Sequence, residues 1–194
     1  MLNLKAGKYT TTKPLCQGNE EIKTMDTVNH PIRNKVAEAN IFDLDLAKLI
    51  PGKEEIIFDL SDFLEEGFIL REKDFRNALK EHDWRKYENA YVMVTCSTDA
   101  ILPQWAFMLV ASHLSLAAAV VSGDRNDLYR HLWDQNINKL DEKEFQDLRV
   151  MVKGCTNLPE MEYAFVRLVT KLQPLVKSIM YGEICSSVPV YKKK

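Results

Sequence analysis

Cys96, Cys155 and Cys185 stand far apart in the chain, yet each follows a short β-prone run: Tyr91-Val92-Met93-Val94-Thr95, Arg149-Val150-Met151-Val152 and Ser178-Ile179-Met180-Tyr181. All three leave a strand in the same direction. In a parallel sheet with right-handed crossovers the carboxyl ends of the strands share one edge, and open α/β sheets bind their ligands there. Tetrahedral zinc with Zn–S bonds near 2.3 Å needs sulfurs roughly 3.8 Å apart. Loops leaving strands about 4.8 Å apart can supply that spacing. Asp99 follows Cys96 by three residues in the same loop and is the leading fourth ligand. Soft thiolates select zinc or an iron–sulfur species over magnesium or calcium. An open fourth position would make a zinc site catalytic, and a closed one structural.

The same residues admit plainer roles. Free cysteine packs as a small hydrophobe, so the three thiols could be inert core. Asp99 lies just before an apolar helix with Pro103 in its first turn, where aspartate is a common N-cap. A third reading is a thiol enzyme that uses Cys96 at a helix N-terminus, where the dipole lowers the thiolate pKa. Its partner base is hard to find. His113 falls some ten residues along that helix, about 15 Å from Cys96, and His30, His82 and His131 lie on other segments. There is no Cys-x-x-Cys pair and no Gly-rich phosphate loop. The residues six positions after Cys96 and Cys155 are Leu102 and Met161, where a cysteine phosphatase needs arginine.

The elements that must position these residues follow from periodicity. Ile41 to Leu46 alternates, Pro51-Gly52 marks a turn, and Ile56 to Leu60 reads as a strand. Phe68-Ile69-Leu70 suggests another short strand, and Phe75, Ala78, Leu79 and His82 recur at helical spacing. In the second half, β-prone runs at 91–95, 118–121, 149–152 and 178–181 alternate with helical stretches, a βαβ rhythm. The helix near 101–116 is apolar on most sides and is expected to be largely buried. Asp124 opens a helix carrying Leu128, Leu132, Trp133 and Ile137. The helix near 159–173 has a clean apolar stripe, with Asn157 and Glu160 as its capping residues and Pro174 at its end. Val92-Met93-Val94, Cys96, Leu102-Pro103 and Ala106-Phe107 are echoed by Val150-Met151-Val152, Cys155, Leu158-Pro159 and Ala164-Phe165. The fold class expected is α/β: a mixed, mostly parallel sheet with flanking helices, built from βαβ units in the C-terminal half.

Composition sets the outer bounds. A chain of 194 residues, 46% hydrophobic and 28% charged, is of ordinary size and composition for one globular domain. A net charge of -2 gives no basic field for a nucleic-acid backbone. No apolar run reaches the length of a membrane span or a signal peptide. Four scattered cysteines in a chain of this size fit reduced thiols in the cytoplasm. Residues 1–26 lack periodicity and read as a disordered leader, or as an extension upstream of a start at Met25, followed by a single domain over 27–194. Pro31, Ile32 and Val36 suggest a short helix at its beginning.

Taken together, several segments resemble a family of bacterial proteins known as a domain of unknown function. They are Ile56 to Leu60, Phe63 to Gly67, Leu70 to Arg76, His82-Asp83-Trp84, Cys96 to Ile101 with Pro103 and Trp105, Val152 to Cys155, and Tyr181 to Pro189. The resemblance implies that Cys96, Asp99, Cys155 and Cys185 belong to family motifs and that Cys16 lies outside them. It also implies a setting beside iron–sulfur cluster assembly genes, with iron–sulfur assembly proteins as partners. An accessory, non-catalytic role in that setting is the alternative to metal binding by the chain itself.

Overall fold

Two short sequences set the pattern of the whole molecule: an apolar strand that ends in aspartate, then a buried leucine that opens a single 3₁₀ turn. β1 (Ile41–Asp45) ends this way, and the Asp45 carboxylate accepts the Ala47 amide at 3.0 Å while Leu46 is 0% exposed. β2 (Glu55–Asp59) repeats it, with Asp59 accepting the Ser61 amide at 2.9 Å and Leu60 likewise 0% exposed. The computed structural model describes residues 41–154, 157–183 and 186–194. The expected leader over 1–26, the start at Met25 and the short helix near 31–36 lie outside these residues.

The remaining elements are α1 (Glu72–Glu81), β3 (Tyr91–Thr95), α2 (Gln104–His113), β4 (Ala119–Ser122), α3 (Arg125–Asn138), α4 (Glu142–Phe145), β5 (Arg149–Lys153), α5 (Met161–Leu172), β6 (Ser178–Glu183) and β7 (Ser186–Lys192). The α/β class is as expected, but the strands form two sheets where one was anticipated. One has the order β2-β3-β4, all parallel, and the other the order β1-β5-β6-β7, parallel except for antiparallel β7. No described helix is long and apolar enough to cross a membrane.

The two sheets are built on one plan. Glu55 pairs with Tyr91 and Tyr91 with Ala119, as Ile41 pairs with Arg149 and Arg149 with Ser178. Before the middle strand of each, an aspartate caps a short turn: Asp83 accepts the Arg85 amide and Asp141 the Lys143 amide. Asn89 and Asp147 then take positive φ (59° and 54°), and their amides donate to the carbonyls of Leu116 and Leu175. Phe75 and Leu79 of α1 have their counterparts in Trp133 and Ile137 of α3, all buried. Gly123, just after β4, and Gly182, near the end of β6, take φ of 130° and 116°, a conformation that side chains seldom adopt. The inner unit, 55–123, is continuous. The outer unit is split around it, with β1 before the inner unit and α3 to β6 after it. The faint sequence echo between 92–107 and 150–165 is therefore one part of a longer repeat that relates β2, β3 and β4 to β1, β5 and β6, while β7 has no counterpart in the inner sheet.

Packing joins the units through α3. Phe58, Val92 and Val94 of the inner sheet meet Phe75 and Leu79 of α1 and Ala106 and Val110 of α2 in one apolar cluster. The opposite face of that sheet, through Tyr91, Met93 and Ala119, joins Leu128, Leu132 and Trp133 of α3 in a second cluster. That cluster continues through Ala164, Leu168 and Leu172 of α5 to Val150, Val152 and Ile179 of the outer sheet. Tyr129 donates to Glu55 at 2.8 Å on one side of α3, and the Trp133 indole donates to the Pro159 carbonyl at 3.0 Å on another.

Four local expectations are corrected. Phe68 to Leu70 forms only an isolated bridge between Glu65 and Ile69. Among α2 residues only Ala106 and Val110 are buried, and Met108 is 73% exposed. Helix α5 starts at Met161 without a side-chain cap, because Glu160 takes a left-handed conformation and pairs with Arg130 at 2.8 Å. Strand β7 was not expected, and Pro189 sits in it at an edge, beside a register shift, where proline's missing N–H is tolerated.

A β-carbon at Gly182 would lie 2.6 Å from the Ser186 carbonyl oxygen, whereas one at Gly52 would meet nothing within 4 Å. Gly182→Ala is expected to cost about 1–3 kcal/mol in urea unfolding, and Gly52→Ala less than about 0.5 kcal/mol. Equal effects would contradict the positional argument.

Candidate functional site

The carboxyl edge of the inner sheet is where the first candidate residues lie. Asp59 and Thr95 are paired at the ends of β2 and β3. One Asp59 oxygen accepts both the Ser61 amide and, at 3.0 Å, the Ser97 amide, so a single carboxylate ties the two strand ends together. The hydroxyls of Ser61 and Ser97 lie 2.9 Å apart beside it. Partial burial pushes the Asp59 carboxyl up, but the Ser97 hydroxyl, the Ser61 amide and hydroxyl and the Ser97 amide outweigh it and hold its pKa at about 2.

Cys96, the residue before Ser97, is half-buried and packs partly against the inner core. Its thiol donates to the Thr98 carbonyl at 3.5 Å and lies 3.3 Å from the Thr98 hydroxyl. Asp99 is exposed. The N-cap position of α2 belongs to Pro103, with no side-chain cap, so the capping role considered for Asp99 is not realised.

The other two cysteines belong to the outer sheet. Cys155 and Cys185 lie outside the described residues, but the strands that lead to them are neighbours, with Val152 paired to Tyr181 in parallel. Glu183 pairs with Ser186, so only Ile184 and Cys185 connect β6 to β7. The expectation that the strands before Cys96, Cys155 and Cys185 belong to one sheet is corrected: the strand before Cys96 and Asp99 lies in the inner sheet, and the strands before Cys155 and Cys185 lie in the outer one. At the end of β5, Lys153 bridges Asp43 at 2.6 Å and Glu183 at 3.4 Å. Among the described residues no three His, Cys, Asp or Glu side chains are grouped to hold a metal ion.

His82 and His113 pack among aromatic rings, and His30 lies outside the described residues. His82 donates to or accepts from the Tyr87 hydroxyl at 3.0 Å and sits among Phe58, Phe63 and Trp84. Burial pushes its pKa down, the Lys86 charge adds to this, and Asp83 opposes it. His113 stacks on Trp84 with ring centroids 4.7 Å apart. His131 is exposed on α3.

Two grooves were not anticipated. One, of about 300 Å³, is lined wholly by apolar side chains between Phe165 and Val169 of α5 and Val188 and Val190 of β7, with Val152 and Tyr181 below. The other, also about 300 Å³, occupies the equivalent place in the inner unit, between Phe107, Met108 and Ala111 of α2 and Val120 of β4. The alternating valines of 188–190 were the sequence signal for the first, masked by Pro189.

Fold and edge chemistry together define an α/β protein made of two nested parallel-sheet units with polar, cysteine-bearing strand ends. Residues 30–193 match the family described as Protein of unknown function (DUF2480), and the chain belongs to that family. No curated protein and no solved structure matches it.

Asp59 carries a depressed pKa, so its contribution to stability is complete above its unfolded value near 3.8 and is lost as pH falls through about 2. Asp59→Asn is expected to destabilise the fold by about 1 kcal/mol at neutral pH, a figure reduced for the solvent that reaches the group. The gap from the parent protein should close between pH 4 and 2, which urea unfolding across that range measures. A gap that does not change with pH would show that the carboxylate charge is not the cause.

Proposed function

We propose that the chain holds a thiophilic metal, zinc or an iron–sulfur species, at the carboxyl edge of the outer sheet, with Cys155 and Cys185 as its thiolate ligands. The observation that carries this reading is the pairing of β5 and β6, which brings the backbone leading to both cysteines to one edge on adjacent strands. Strands about 4.8 Å apart suit two thiolates on one ion. Two protein thiolates leave two positions for exchangeable ligands, which fits a carrier or accessory protein better than a closed structural site. Thiolates of this kind persist in a reducing cytoplasm. Iron–sulfur assembly proteins are the partners this reading names. Cys96 and Asp99, on the inner sheet, fall outside it.

A second reading is favoured by the wholly apolar groove beside the same edge. In it the cysteines are inert, and the groove takes an apolar segment of a partner protein without catalysis.

Metals per chain, measured by mass spectrometry on protein purified anaerobically without a metal-affinity tag, separate the two. Near-stoichiometric zinc or iron that Cys155→Ser and Cys185→Ser each remove, and Cys96→Ser leaves in place, is the expected result. Folded protein that takes up neither zinc nor iron with sulfide would end the metal reading. Loss of metal in Cys96→Ser would restore the three-cysteine site.

A further inference from the structure

A second feature of the outer sheet is a cleft at its other end, opposite the strand ends that lead toward the cysteines. β5 and β6 begin there and antiparallel β7 ends there, since Arg149 pairs with Ser178 and Ser178 with Lys192. The result is a cleft of about 710 Å³ into which Arg149, Lys177, Lys192, Lys193 and Lys194 contribute, with Asp147 as its one carboxylate side chain. Asp147 is engaged by Lys193 at 3.7 Å. Among the described residues Arg149, Lys177 and Lys192 have no carboxylate within 4.0 Å. Ile41, Met180 and Pro189 supply an apolar wall.

The repeat provides an internal control. The positions equivalent to Asp147, Arg149 and Lys177 in the inner unit are Asn89, Tyr91 and Ala118, none of them charged at neutral pH. The fold therefore does not require cations at this edge. Nor does overall charge explain them, because the chain carries a net charge of -2. Three cations that line one cleft without a carboxylate partner among the described residues repel one another, and an anion that neutralises them relieves this.

We propose that this cleft binds a small organic phosphate bearing at least two phosphate charges, with its non-phosphate portion against Ile41, Met180 and Pro189. The volume falls within the range of single-ligand pockets, about 300–1,000 Å³. The cations are gathered in one concavity, where a polymer would need a continuous basic stripe. Arginine suits a phosphate by its forked donors and lysine by its point charge. This inference is independent of the metal reading.

The test is calorimetric titration of the full chain with pyrophosphate and with ADP. Saturable one-site binding is expected, weakened about ten-fold or more in Arg149→Ala/Lys177→Ala, the equivalent of about 1.4 kcal/mol. Raising the salt from about 50 to about 300 mM should weaken it as well. Arg149→Lys/Lys177→Arg should retain binding, and Lys80→Ala, exposed on α1, should leave it unchanged. All of these side chains are exposed, and circular dichroism checks that each variant is folded. Vesicles of phosphatidylcholine with phosphatidylinositol bisphosphate identify the source: binding to vesicles far above binding to ADP assigns a lipid headgroup, and the reverse a free phosphate compound. Absence of saturable binding to ADP, pyrophosphate and vesicles, or equal binding in the Arg149→Ala/Lys177→Ala variant, would overturn the proposal. So would binding of a single-stranded oligonucleotide with no binding of the smaller probes.

Discussion

Helix α3 has to satisfy two sheets at once, and the rest of the architecture follows from that demand. Its Tyr129 reaches Glu55 of the inner sheet, while Trp133 and Asp134 engage the start and body of α5, which covers the outer sheet. Trp133 is fully buried. Removing a side chain of that size from a core typically costs about 3–5 kcal/mol. A helix with one apolar stripe could serve one sheet. α3 buries Leu128, Tyr129, Leu132, Trp133 and Ile137 over a broad arc, and this is why the two units form a continuous core. Its capping box, Asp124 with Asp127, fixes where that arc begins.

The strand ends are where the two units differ in chemistry. Both close their first strand with an aspartate that holds the next turn, and Asp59 also reaches across to the neighbouring strand, where Ser97 presents its amide. At the corresponding edge of the outer sheet Lys153 lies between Asp43 and Glu183. One backbone plan thus supports two strand-end edges, each followed in sequence by cysteine, with different polar contacts.

Much of the secondary structure was legible because the strands are β-branched runs such as Val92-Met93-Val94 and the helices keep their stripes, Phe75 with Leu79 and Leu128 with Leu132. The division into two sheets was not, because it depends on which strands pair, and no local pattern tells β1 to join β5 rather than β2. The apolar character of 101–116 pointed to burial, yet Met108 and Phe107 turned out to border a groove. Asp99 and Asn157 had the sequence context of caps, and prolines at 103 and 159 left both helices starting further on. The repeat was visible only where its residues coincide. Glu55 against Ile41 and Tyr91 against Arg149 preserve geometry without preserving chemistry.

The nesting of one unit inside the other also bears on how the chain comes together. Glu55 and Tyr91, paired in the inner sheet, are 36 positions apart, whereas Ile41 and Arg149, paired in the outer one, are 108 apart. Closing the longer loop from an open chain costs only about 1 kcal/mol more. During synthesis from the N-terminus, however, β1 emerges with no partner until the whole inner unit has followed it. The inner unit has every strand it needs within 55–122 and can close first. By doing so it shortens the effective distance between β1 and β5 to little more than its own breadth. The insertion that separates the halves of the outer sheet is then also what carries them back together, and the short β1, its apolar residues interleaved with Asp43 and Asp45, spends that interval as a strand awaiting its pair.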